Sequence, residues 1–174
     1  FIYYFLIFLV WGVFLPRPKK HPSQKATNYP NKFIISSFEN LFINVVFVYF
    51  ASLIGSSLKG YTLPFYDKIV HFFSGILASM MAMIFYCMVK KQHTIDNKQD
   101  YIFLFIFIIT ANLSIAVLWE FYEYFMLVFF NNDCILHYTT GVHDSMTDML
   151  CALGGGCLVL LSFLKAKKQQ QSKV

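Results

Sequence analysis

The amino-acid sequence predicts an all-α, polytopic transmembrane helical bundle, organised as a single integral membrane domain over residues 1–174. Three observations predict this class. Hydrophobic residues make up 57% of the chain and charged residues 13%, whereas a soluble domain carries about 25% charged residues. Several apolar segments approach or exceed the roughly 20 residues that a helix needs to cross a bilayer. Most of the basic residues fall in the polar segments between them.

Five apolar segments are predicted to be membrane helices, at about residues 1–15, 33–58, 67–89, 101–130 and 145–164, with a polar tail over 165–174. The first segment is short, and its basic residues Arg17, Lys19 and Lys20 follow it. A signal peptide has its basic residues in front, so this segment is interpreted as the remaining part of a transmembrane helix. Gly60 and Pro64 separate the second span from the third.

The basic residues predict the orientation of the spans. Twelve of the 14 lysines and arginines lie in the 16–32 loop, the 90–100 loop and the C-terminal tail, whereas the other connections hold only Lys59 and Lys68. Cytoplasmic loops carry the excess of lysine and arginine, so these three segments and the C-terminus are expected in the cytoplasm. The net charge of +5 therefore fits a protein whose partner is the lipid bilayer, and no nucleic-acid partner is predicted.

Acidic residues occur where apolar spans rarely carry them. Six of the nine acidic residues lie in or next to the spans on the side away from the basic loops, and His71 follows the first of them by one helical turn. The six are Asp67, Glu120, Glu123, Asp133, Asp144 and Asp148. A carboxylate in a bilayer is costly unless it is paired or reaches water, so such residues indicate a functional site. The predicted topology places all of these groups on the outer-leaflet side.

The spacing of these groups predicts that the helices bring them together. They form pairs at residues 67 and 71, 120 and 123, and 144 and 148, and each pair shares one face of its helix. Small residues follow the first and last pairs, among them Gly75, Ala78, Gly154 and Gly155. Small residues let transmembrane backbones approach closely, so the third and fifth spans are predicted to pack on these faces.

The residue types predict either cation binding or acid–base chemistry. The candidate catalytic residues are His71, Glu120, Glu123 and Asp148, and the candidate binding residues are Asp67 and Asp144. The candidate ligands of a divalent metal ion, the one cofactor considered, are His71, Glu120, Glu123, Asp144 and Asp148. Carboxylates and imidazole suit such an ion, and without metal they suit general acid–base catalysis. A lipid or lipid-linked envelope precursor, which arrives laterally at this depth, is the expected substrate.

Other interpretations stay open at this point. Asp67 and Asp144 suit helix N-caps, Glu120 and Glu123 suit the membrane interface, and His71 suits a core histidine. A proton- or cation-coupled transport component is the alternative function, and a structural protein without a catalytic site is another. Transport would need a path to the cytoplasm, so Glu39 and Asn44 in the second span would matter under that hypothesis. The sequence predicts no oligomeric state.

Three motifs together resemble a known family. They are Asp67–Gly75 (DKIVHFFSG), Trp119–Glu123 (WEFYE) and Asp144–Leu150 (DSMTDML), followed by glycines. Over about residues 35–165 the chain resembles the YjdF-like family of bacterial inner-membrane proteins, and it is more distantly similar to VanZ-like proteins. The resemblance implies a small polytopic helical protein of the bacterial plasma membrane, without an established activity. The chain departs from it at Gly141–His143, where a more glycine-rich turn is expected.

Overall fold

The computed structural model describes residues 37–63, 65–90 and 97–171, and every regular element in these ranges is helical. Helix α1 spans Ser37–Ser52 and continues as a π-helical turn over Leu53–Ser57. A short 3-10 helix at Gly60–Thr62 precedes α2 (Tyr66–Lys90), α3 (Lys98–Phe130) and α4 (Val142–Gln171). The all-α class is therefore confirmed. The predicted first span at residues 1–15 lies outside the described residues.

Three of these helices are long and apolar enough to cross a membrane, over Tyr66–Lys90, Lys98–Phe130 and Val142–Ala166. Helix α1 and the π-helical turn after it share a shorter apolar segment, Phe42–Gly55. Helix α4 continues through Gln171, past the predicted end of the fifth span at residue 164. Alanine, lysine and glutamine are good helix formers, so the helix continues into the polar segment where the apolar pattern stops.

Helices α2 and α4 make the closest backbone contact in the bundle. A Cβ atom at Gly75 would overlap the carbonyl oxygen of Ala152, and one at Gly155 would overlap the carbonyl oxygen of Phe72. Only glycine fits at either position without a shift of backbone. The close packing of small faces that the sequence predicts is present, and it fixes α2 and α4 in register with each other.

A buried amide attaches helix α3 to this contact. Asn112 is 1% exposed, and its Nδ2 lies within hydrogen-bond distance of the Gly75 carbonyl (2.8 Å), the Ser79 hydroxyl (2.8 Å) and the Ala152 carbonyl (3.3 Å). Its two N–H hydrogens are shared among these three acceptors. Interhelical hydrogen bonds of this kind contribute to helix association in a medium that offers no water as an alternative partner. The sequence analysis did not identify this residue.

The two ends of the three-helix core differ in chemistry. At one end Lys90 Nζ lies 2.7 Å from Asp100 Oδ1, near the junction of α2 and α3. An apolar cluster follows, formed by Ala82, Met83, Leu104, Ile108, Val159 and Leu160. The other end contains the first turns of α2 and α4 and the later turns of α3, and it is called the Lys68 end below. The antiparallel order of the helices therefore gathers the candidate residues at one end of the bundle.

Gly155→Ala is expected to lower the free energy of unfolding by about 1–3 kcal/mol, because the added Cβ meets the Phe72 backbone. Gly154→Ala is the matched control: its Cβ would lie 3.7 Å from the Phe72 ring, an ordinary contact, so stability is expected to stay equal or rise. Thermal unfolding in detergent measures both variants. Equal loss of stability in the two would contradict the backbone contact between α2 and α4.

Candidate functional site

A lysine lies at the centre of the acidic residues at the Lys68 end. The Nζ atom of Lys68 is 2.5 Å from Asp144 Oδ1, 2.8 Å from Asp148 Oδ1 and 3.2 Å from Asp67 Oδ2. From the sequence, Lys68 was a guide to the orientation of the spans and not a predicted member of the site. The spacing could have indicated its place in the site, because Lys68 precedes His71 by three residues and so shares a helix face with it.

His71 lies between two of the same carboxylates. Its Nε2 atom is 3.6 Å from Asp67 Oδ1 and 3.8 Å from Asp148 Oδ1, and the residue is 6% exposed. Both distances are too long for a hydrogen bond. One ligand atom from each of Asp67, His71 and Asp148 lies within 4.8 Å of the others, a separation that a single cation can bridge.

Asp67 and Asp144 lie where the helix dipoles favour negative charge. Asp67 is in the first turn of α2, and Asp144 is in the first turn of α4. The N-cap role that the sequence left open for both does not fit these positions, because the helices begin at Tyr66 and Val142 and each aspartate lies inside the first turn. Their ion pairs are with the Lys68 ammonium, so each links its own helix end to the centre of the cluster.

Helix α3 supplies two glutamates with different surroundings. Glu123 Oε1 accepts a hydrogen bond of 2.7 Å from the Trp119 indole N–H on the same helix. Glu120 is 7% exposed, and neither of its carboxylate oxygens has a hydrogen-bond partner among the described residues. It lies beside Ser145 of α4 and within electrostatic range of Lys68 and Asp144. The structure therefore brings Glu120 to the cluster as a buried carboxylate that lies beside Ser145 and has no ion pair among the described residues.

A small cavity of about 60 Å³ lies on the α1 side of His71. Its polar lining includes Tyr61, His71, Ser74 and Asn112, and the rest is mostly apolar. This volume exceeds the roughly 10–15 Å³ that one water molecule requires. Partial burial of the ring and the nearby Asp67 carboxylate raise the pKa of the Tyr61 phenol, so this group stays protonated beside the cluster.

Double-mutant cycles are expected to rank the ion pairs of Lys68 by burial. Asp148 is 1% exposed, so Lys68→Met with Asp148→Asn is expected to give a coupling energy of about 1–3 kcal/mol. Asp67 is 30% exposed, so Lys68→Met with Asp67→Asn is expected to give less than about 1 kcal/mol. Unfolding in detergent measures both cycles. A larger coupling to Asp67 than to Asp148 would contradict this arrangement.

Comparison with known proteins supports the membrane class. A family model described as a predicted membrane protein, DUF2238, matches residues 30–169, a range that includes every residue of the candidate site. No curated protein and no solved structure matches the chain. The expectation that the chain belongs to a family of membrane proteins is confirmed. The narrower resemblances to YjdF-like and VanZ-like proteins stay predictions. Because the match covers most of the chain, this protein belongs to the DUF2238 family of predicted membrane proteins.

Proposed function

We propose that this protein binds a divalent cation at the Lys68 end of its bundle, through Asp67, His71 and Asp148, with Glu120 as a further carboxylate. The observation that carries the proposal is the convergence of three ligand atoms within 4.8 Å. The buried carboxylate of Glu120 supports it independently, because both of its oxygens lack a partner among the described residues. A buried carboxylate is costly without a proton or a cation.

The charge balance of the site favours a positively charged ligand. Five carboxylates face one ammonium group and one imidazole: Asp67, Glu120, Glu123, Asp144 and Asp148 against Lys68 and His71. Like charges repel strongly in a medium of low dielectric constant, so carboxyl groups this close together take up either protons or a cation. An anionic ligand would be repelled unless a divalent cation lay between it and the carboxylates.

The ligand types suggest which ions fit. Zn²⁺, Mn²⁺ and Fe²⁺ are bound better by an imidazole together with two or three carboxylates than by carboxylates alone. Three or four protein ligands leave a coordination position for a substrate oxygen, and the ion would then act as a Lewis acid. The substrate we propose is a lipid or lipid-linked precursor with a phosphate group, which reaches the site laterally from the outer leaflet of a bacterial plasma membrane.

Transport is less well supported than binding at one end. The buried polar groups that start at His71 reach Asn112, and the apolar cluster around Leu104 and Ile108 then separates them from Asp100. The Asn44 amide donates to the carbonyl and side-chain oxygens of Asn40, both at 2.9 Å, so these bonds stay within α1. A path for ions would have to open the packed apolar cluster.

Cation binding is tested by titrating the purified protein in lipid nanodiscs with Mn²⁺ and with Zn²⁺, using isothermal calorimetry. His71→Ala and Asp148→Asn are each expected to weaken the affinity at least about 100-fold, because loss even of an outer-shell partner costs about 10–100-fold. Asp133→Asn is the control: this carboxylate accepts backbone N–H groups of His137 and Tyr138 in the loop after α3. No binding by the wild-type protein would overturn the proposal.

Glu120→Gln is expected to change stability and affinity in opposite directions. Without cation, the variant replaces a buried carboxyl group, whose oxygens have no hydrogen-bond partner among the described residues, with a neutral amide. Its thermal unfolding temperature is therefore expected to equal or exceed that of the wild type. With cation, it loses a ligand and the affinity is expected to fall about tenfold or more. Unfolding scans with and without Mn²⁺ measure both effects. Destabilisation without cation would identify Glu120 as a structural residue instead.

A further inference from the structure

The ammonium group of Lys68 shares carboxylate partners with the proposed cation site. Two of its three carboxylate partners, Asp67 and Asp148, are proposed cation ligands. The Oδ1 atom of Asp148 is the shared point, since it lies 2.8 Å from Lys68 Nζ and 3.8 Å from His71 Nε2. A lysine ammonium and a divalent cation therefore compete for the same oxygen.

We propose that Lys68 is a tethered competitor of the cation, so that binding requires its ammonium group to leave Asp148. This inference rests on the proposed function. A metal ion bonded to Asp148 Oδ1 at about 2.0–2.2 Å would lie within contact range of an ammonium that stayed in place. The two positive charges would repel each other, and the carboxylate could not satisfy both at once. The affinity for the cation is thus set by the lysine as well as by the ligands.

Asp144 provides the alternative position for the lysine. Its Oδ1 atom lies 2.5 Å from Lys68 Nζ, and the residue is not a member of the three-residue group that converges on a cation. The Lys68 side chain is 26% exposed and has a flexible four-carbon stem, so it can retain Asp144 while it gives up Asp148. In this arrangement Asp144 is a positioning residue that acts through Lys68, and not a metal ligand as the sequence predicted.

A purely structural lysine would have the opposite effect on affinity. If Lys68 only held the aspartates in place, its removal would let them separate and would weaken cation binding. If it competes, its removal frees Asp67 and Asp148 and strengthens binding. Because the two roles differ in the sign of one measurable quantity, a single titration separates them.

The test compares Mn²⁺ affinities in lipid nanodiscs by isothermal calorimetry. Lys68→Met is expected to bind Mn²⁺ at least about tenfold more tightly than the wild type, because a repelling charge is removed. Lys59→Met is the matched control: Lys59 is an exposed lysine in the connection before α2, and its removal changes the net charge equally. Its affinity is expected to stay within about twofold of the wild type, because charges at exposed positions are screened.

A second pair of variants tests the part assigned to Asp144. Asp144→Asn is expected to weaken Mn²⁺ binding several-fold, because the lysine loses its alternative partner and stays on Asp148. In the double variant Lys68→Met/Asp144→Asn this effect is expected to disappear, and the affinity should match that of Lys68→Met alone. The double variant keeps the net charge of the wild type, so it also serves if Lys68→Met alone fails to fold.

The outcomes separate this inference from the proposed function. If the wild type binds Mn²⁺ and neither lysine-free variant binds more tightly, the inference is overturned and the cation site stands. If neither the wild type nor the lysine-free variants bind, the proposed function fails and the inference with it. If only the lysine-free variants bind, the competition by Lys68 is supported, while cation binding by the native protein is rejected.

Discussion

The backbone contact between α2 and α4 is the constraint on which the rest of the structure depends. Gly75 lies against the Ala152 carbonyl and Gly155 against the Phe72 carbonyl, so the two helices cannot slide past each other without a clash. That register sets Asp67, Lys68 and His71 level with the acidic turn at the start of α4. Asn112 then ties α3 to the same contact through bonds to carbonyls of both helices, which brings Glu120 to the cluster. The polar end of the bundle is thus positioned by small residues that carry no charge.

The acidic cluster is less negatively charged than its carboxylates alone suggest, because it contains a lysine. A lysine on the same helix as Asp67 neutralises part of the negative charge and contacts three aspartates. Glu120 stays outside this network, and its buried oxygens have no partner among the described residues. Buried carboxylates are usually satisfied in proteins, so an unsatisfied one beside this network fits the cation site proposed above.

The sequence predicted the membrane class and the meeting of polar residues because both follow from patterns along single helices. Apolar length gives the spans, and spacing by three or four residues gives a shared face for each pair at 67/71 and 144/148. Lys68 and Asn112 were missed for a common reason. Each is an ordinary polar residue near a span by itself, and its importance comes from partners 33 to 80 residues away in the chain. Spacing along one helix carries no information about which residue of another helix it will face.

By itself the sequence determined that this is a helical membrane protein and which ionisable residues lie in or beside its apolar spans. Both follow from hydropathy and local periodicity, which are properties of contiguous segments. Only the tertiary structure decided how those charges are shared. The rotation and register of α2, α3 and α4 place one lysine among three aspartates and leave Glu120 without an ion pair in the described part of the chain. Such choices depend on sub-ångström fits between backbones, as at Gly75 and Gly155, and these arise only when the helices pack.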